Sequence, residues 1–136
     1  VTEPQKIIDR LFAPGFDRRN SLILEKQPEL KLSPGAGDVQ IMRYSPNAIT
    51  MKTTSDANTL LFLSDVYDAG WEASVDGKKT EVYRADYDFR AIAVPGGTHT
   101  VEYRYHPYRF RVGLVLAGIS VAAGFLVCIW IQKQRD

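Results

Sequence analysis

The feature that most limits what this chain can become is a run of twenty residues near its C-terminus. Val112 to Ile131 reads VGLVLAGISVAAGFLVCIWI, without a charge, an Asn, a Gln or a Pro. A helix over it, at about 1.5 Å rise per residue, is roughly 30 Å long, the thickness of a bilayer's hydrocarbon core. The rival reading, a helix buried inside a protein core, asks the remaining residues to wrap it on every side, whereas a core helix normally keeps one face for water. The spacing and flanks therefore predict a transmembrane helix over 112–131. Tyr105, Tyr108 and Phe110 precede the run and Trp130 lies near its end, as in the aromatic belts of membrane interfaces. Arg109 and Arg111 on one side match Lys133 and Arg135 on the other, so the positive-inside rule leaves orientation open. Gly113, Ala117, Ser120 and Gly124 fall along one helical stripe, where small residues let a second helix approach. The plainer reading, that small residues are simply common in such helices, stands beside it. Cys128 reads as a small apolar residue within the span, or as a palmitoylation site near the interface.

The rest of the chain is of a different kind. Of 17 basic and 16 acidic residues, 15 of each fall within residues 1–111, and the formal net charge of the whole is +1. That balance argues against a dedicated nucleic-acid binder. One cysteine excludes an internal disulfide framework and a multi-cysteine zinc site. Thr2-Glu3-Pro4-Gln5 matches a helix start with Thr2 as cap and Gln5 reaching back. Ile7, Ile8, Leu11 and Phe12 recur at helical spacing until Ala13-Pro14-Gly15 stops them.

From Ser21 the period becomes two. Strands are predicted over Ser21–Glu25, Asp38–Tyr44, Ala48–Thr54, Trp71–Val75, Lys79–Arg84, Phe89–Val94 and Thr98–Tyr105. Leu60–Leu63, a continuous apolar run, is expected to be a strand buried on both faces. Asp76-Gly77 between two of these segments is a hairpin signal, because a type I′ turn needs positive φ at both central residues. The fold class expected is mainly β: an antiparallel β-sandwich of seven or eight strands with a short N-terminal helix and one C-terminal transmembrane helix. The expected divisions are 1–16 for the helix and turn, 17–108 for the sandwich, and 109–136 for the span and a short tail. His106–Arg111 is too brief for a flexible tether, so the sandwich is expected to sit directly on the membrane surface. A chain starting at Val1 and ending in this way is expected to be the end of a longer polypeptide.

Candidate chemistry is sparse. Asp65 with Asp68, and Asp86 with Asp88, are carboxylate pairs suited to acid–base work or a cation, but in loops such residues more often cap turns. The two histidines, His99 and His106, have no metal-binding partner pattern, and the serines no nucleophile setting. Neither a catalytic residue, a metal site nor a cofactor site is visible. An aromatic group remains: Tyr67, Trp71, Tyr83, Tyr87 and Phe89. Exposed rings beside carboxylates suit sugars, and Tyr67, Asp68 and Tyr87 are the candidate glycan contacts. Trp71, which opens a strand, is expected to pack into the sandwich.

Leu63 to Lys78, LSDVYDAGWEASVDGK, resembles the LSD-x-Y-x-x-GW-x-A-x-VDG signature near the C-terminus of the bacterial YfhO-type membrane protein family. Tyr44-Ser45-Pro46-Asn47-Ala48-Ile49 is similar to that family's Y-x-PN-x-I. Phe89-Arg90-Ala91 with Val94-Pro95-Gly96-Gly97 and His99 resembles its FRA and VP-x-G-x-H segments, and Tyr105-His106-Pro107 completes the series. The resemblance implies a large polytopic protein similar to GT-C glycosyltransferases, moving sugar from a polyprenyl-phosphate carrier onto cell-envelope polymers. This chain would be its terminal extracytoplasmic domain and last membrane helix, with a cytoplasmic C-terminus. Its implied partners are the lipid bilayer, other transmembrane helices of the same protein, and cell-envelope glycan or polyprenyl-linked sugar. The acidic catalytic loop of that class has no counterpart here, so no catalytic residue carries over. Gly70, Trp71, Asp76, Gly77, Pro95 and Gly96 read as structural signature positions. Two other readings remain: a free-standing membrane-anchored sandwich that binds carbohydrate or protein, and a hydrolase using Asp65 or Asp68.

Overall fold

Proline at the first helical position has its missing N–H where no partner is needed, and Pro4 opens the first helix, α1 (Pro4–Leu11), in this way. In the computed structural model, which describes residues 3–17 and 20–134, the cap is Glu3, with extended backbone and no side-chain cap bond. Thr2 lies outside the described residues. Gln5 does not reach back: its amide donates forward to Asp9 Oδ1 at 3.0 Å. The apolar stripe behaves as the spacing requires at Ile7, which is fully buried, whereas Phe12 is exposed.

Eight strands follow: β1 (Gly37–Ser45), β2 (Ala48–Ser55), β3 (Thr59–Val66), β4 (Trp71–Val75), β5 (Lys78–Thr80), β6 (Tyr83–Ala85), β7 (Phe89–Val94) and β8 (Gly97–Tyr105). They form two antiparallel sheets, one of five strands in the order β1-β2-β8-β4-β5 and one of three in the order β3-β7-β6. Alternation puts Ile49, Met51, Ala73, Val101 and Tyr103 of the larger sheet in one core with Leu61, Ile92 and Val94 of the smaller. Each buried aliphatic side chain there contributes about 1.5–3 kcal/mol relative to exposure.

Three expected strands differ. Ser21–Glu25 is not a strand but a crossing segment with a single bridge, Leu24 to Ala85. Asp86 occupies its backbone instead, accepting the Ile23 N–H at 2.8 Å and donating its own N–H to the Ile23 carbonyl. Lys79–Arg84 divides between the sheets. Its period breaks at the adjacent apolar pair Val82-Tyr83, which one sheet face cannot take together, so β5 stays beside β4 while β6 joins β7. Leu60–Leu63 is not buried on both faces: Leu61 is in the core and Phe62 faces outward, 36% exposed. On the outward side of β3 a cavity of about 630 Å³ opens between Phe62, Leu60 and the 20–35 segment.

Residues 107–136 form a unit distinct from 1–106. Within it α2 (Tyr108–Lys133) is one helix of 26 residues covering the whole uncharged run. Its described side chains within that run are those of 112–125 and Trp130; those of residues 109, 111, 126–129 and 131 lie outside the description, as do Arg135 and Asp136. The expectations for Cys128, Arg109 and Arg111 fall on these residues. Among the described residues no helix is long and apolar enough to cross a membrane. The transmembrane part of the expected architecture is therefore not carried by the described residues alone.

Candidate functional site

Two signature residues, Gly70 and Trp71, lie where β8 ends and β4 begins. Asp68 makes the turn between β3 and β4: its Oδ1 accepts the Gly70 N–H at 2.7 Å, and its carbonyl accepts the Trp71 N–H at 3.1 Å. Gly70 in turn accepts the His106 N–H on its carbonyl at 2.7 Å. A Cβ at Gly70 would stand 2.7 Å from the Tyr105 ring and 3.0 Å from the His106 carbonyl, so only glycine lets these segments approach. Trp71 lies directly opposite Tyr105 in the sheet, with ring centroids 5.2 Å apart.

Behind Trp71 lies a group that the sequence did not single out. The Arg90 guanidinium sits 4.0 Å from the Trp71 ring centroid and 5.3 Å from that of Tyr103. Its side chain is only 2% exposed. Nη2 donates to Asp65 Oδ2 at 2.9 Å and Nη1 to the Val66 carbonyl at 3.3 Å. Tyr44 O–H, from β1, donates to the same Asp65 oxygen at 2.8 Å. Asp65 thus pairs with Arg90 of its own sheet and ties that sheet to the larger one through the Tyr44 hydroxyl, rather than capping a turn. Burial pulls the Arg90 pKa down and the Asp65 carboxylate opposes that pull. Burial raises the Tyr103 phenol well above its usual range. Arg90 Nε and Tyr103 Oη have no hydrogen-bond partner among the described residues. One signal was available: Arg90 is the lone charge in Phe89–Val94, a strand otherwise wholly apolar.

The three candidate glycan contacts do not form one surface of exposed rings. Tyr67 is half-buried, its ring 4.8 Å from the Arg84 guanidinium and its N–H donated to the Asp88 carbonyl. Asp68 is exposed but spends one oxygen on Gly70. Tyr87 is 45% exposed at the β6–β7 turn, with φ of 82° following Asp86 at 45°. Two successive left-handed residues without glycine are strained, and here that strain holds an aromatic ring outward.

At the opposite ends of β4 and β8, Asp76 (φ 49°) and Gly77 (φ 77°) make the hairpin turn. Asp76 Oδ1 accepts the Thr100 N–H at 2.8 Å and Oδ2 meets His99 Nδ1 at 2.6 Å. The other ring nitrogen, Nε2, lies 3.2 Å from the Gly96 carbonyl, so a protonated ring donates on both sides. These bonds raise the His99 pKa, the Asp76 bond foremost, and His99 lowers that of Asp76. Gly96 donates its N–H to Asn58 Oδ1 at 3.0 Å and packs on the Ala57 backbone, following Pro95 in the β7–β8 turn. This end borders the cavity of about 780 Å³, lined by Asp76, Lys79, Glu81, Tyr83 and His99.

On α2, Gly113 and Gly124 have open space beyond them, and Ser120 donates to the Leu116 carbonyl at 3.0 Å. Among the described residues no group of three or more His, Cys, Asp or Glu is placed to hold a metal. The described carboxylates Asp65, Asp68, Asp76 and Asp86 each accept a hydrogen bond from the fold itself.

Residues 35–117 match the family model described as "Bacterial membrane protein YfhO". A curated relative, "Uncharacterized protein YfhO" of Bacillus subtilis (strain 168), is 22% identical over 94 residues, which is 69% of this chain. That stretch is 11% of the relative's own length. No solved structure matches the chain.

Proposed function

This chain belongs to the YfhO family of bacterial membrane proteins, and from that premise we propose that it is a non-catalytic domain of a larger sugar-transferring membrane protein. In this reading residues 17–108 are an extracytoplasmic β domain, residues 112–131 are the last membrane helix, and the C-terminus is cytoplasmic. The parent, embedded in the bacterial cytoplasmic membrane, takes sugar from a polyprenyl-phosphate carrier and acts on cell-envelope glycopolymers. The observation that carries the non-catalytic role is the use of the carboxylates. Asp65 is held by Arg90 and Tyr44, Asp68 by Gly70, Asp76 by His99 and Thr100, and Asp86 by Ile23. A general acid or base needs a free lone pair facing substrate, and each of these carboxylates commits at least one oxygen to the fold.

The unbroken helix over an uncharged run of bilayer length supports the membrane span. The open space at Gly113 and Gly124 supports close packing of other helices of the same protein along the stripe with Ala117 and Ser120. Tyr87, projected from a strained turn, supports a glycan contact, with Tyr67 and Asp68 on the neighbouring loop. Replacing Tyr87 by glycine separates fold from function: it relieves a positive φ and raises stability by up to about 1 kcal/mol, while glycan binding falls. A Tyr87→Gly protein that keeps full affinity in a glycan-binding assay refutes the contact. Reporter fusions after Asp136 test sidedness, with a cytoplasmic signal expected. The second reading, a free-standing membrane-anchored module, is favoured instead if residues 1–108 alone bind glycan saturably and no hydrophobic spans are encoded upstream.

A further inference from the structure

The two sheets differ in width, and the difference leaves β1 uncovered. Its nine residues are exposed except the last, which is half-buried, and its outer backbone edge pairs with no described strand. The strand is nevertheless amphipathic. Val39, Ile41 and Tyr44 stand opposite Thr53, Met51 and Ile49, the core-facing residues of β2, so they share the inner face. Asp38, Gln40 and Arg43 stand opposite Thr54, Lys52 and Thr50 and share the outer face. Arg43 reaches that face only because a bulge at Met42 inserts one extra residue and reverses the alternation. Val39 and Ile41 remain 45% and 57% exposed, and neither Asp38 nor Arg43 makes an ion pair among the described residues.

With the bulge counted, the strand is complementary to itself. In an antiparallel pairing centred on Gln40, that residue opposes its own copy and Val39 opposes Ile41. One pair further out, Asp38 opposes Arg43, and beyond it Gly37 opposes Tyr44. Apolar meets apolar, acid meets base twice by symmetry, and a residue without a side chain faces the largest one. Tyr44 keeps its bond to Asp65 in this arrangement, because the opposing glycine leaves its ring in place. Registers moved by two positions either way set Asp38 against Gln40 or Ser45 and lose both ion pairs. We infer that β1 pairs antiparallel with β1 of a second copy of this chain, about a two-fold axis through Gln40, to make one continuous ten-stranded sheet.

The test uses the full chain in detergent micelles with Cys128→Ser as background. Gln40→Cys, on the axis, places two cysteines opposite each other at the separation a disulfide needs and should give a covalent dimer on mild oxidation. Lys52→Cys, one strand further in, is separated from its copy by about 14 Å and should not. Asp38→Arg or Arg43→Asp alone sets like charges together twice and should weaken the dimer about tenfold or more, read by sedimentation or cross-linking yield. The double exchange, Asp38→Arg with Arg43→Asp, should restore it, a recovery that misfolding of either single variant cannot produce. Failure of Gln40→Cys to cross-link, equal cross-linking at Lys52→Cys, or no recovery in the double exchange each overturns the pairing, including the case of a dimer held by α2 alone.

Discussion

Two carboxylate–cation pairs lie near opposite ends of β4, one in each sheet, and they work under different physics. At one end Asp65 meets Arg90 behind Trp71 with the guanidinium 2% exposed; at the other Asp76 meets His99 with the carboxylate side chain 51% exposed. In the first, the guanidinium is shut away from water and depends on Asp65 for its counter-charge, since an unpaired buried charge costs several kcal/mol. In the second, solvent screens the charges, and what the pair adds is a titratable link between the β4–β5 turn and the β7–β8 turn. Acid–base pairs with similar distances, 2.9 and 2.6 Å, thus differ in what they do because of burial.

The largest effect is expected where that contrast is sharpest. Asp65→Ala strands Arg90 in the core and should cost about 3–5 kcal/mol, measured by urea unfolding. Arg90→Met should cost less, because Asp65 is one-third exposed and hydrates once released. Equal losses from the two would mean that Arg90 reaches water and that the buried end is no different from the exposed one. Trp71→Ala removes the ring that covers the guanidinium and should cost about 3–5 kcal/mol as well; an unchanged melting temperature would remove Trp71 from the packing. Gly70→Ala pushes a methyl group against the Tyr105 ring and the His106 carbonyl, and a loss of about 1–3 kcal/mol is expected.

The smallest effect belongs to the exposed end and is read against pH. The folded pKa of His99 is raised, so its contribution is complete below the unfolded value near 6.5 and is lost as pH rises through the folded one. The folded pKa of Asp76 is lowered, so its contribution is complete above the unfolded value near 3.8 and is lost as pH falls through the folded one. The melting temperature should therefore carry a shallow fall on the alkaline side that His99→Gln abolishes. A curve unchanged by that substitution would show the pair to be inert.

The elements were legible wherever the cause was local. Asp76-Gly77 announced its turn, Trp71–Val75 and Phe89–Val94 have the predicted bounds, and the strand ending at Tyr105 begins only one residue early, at Gly97. Gly70 is legible in the sequence as a structural signature position, but part of its requirement comes from Tyr105 and His106, which are distant in the chain. Asp65 and Asp68 are alike in sequence as carboxylates near a turn, yet Asp68 caps its own turn while Asp65 takes a hydrogen bond from Tyr44 of the opposite sheet. Arg90 was invisible as a site because a single charge in an apolar strand does not reveal which rings will enclose it. The family signature was legible for the same reason as the turns, being a short contiguous pattern.

What the residues determined unaided is whatever depends on neighbours a few positions apart: the uncharged helix, the alternating strands, the turns that need positive φ. Only the tertiary structure decided which sheet each strand joins, that Lys79–Arg84 divides between two of them, and that Asp65 with Arg90 and Asp76 with His99 become pairs. Side-chain period and turn chemistry are properties of the local backbone, whereas strand partnership and the pairing of distant side chains depend on which segments the packed sheets bring together.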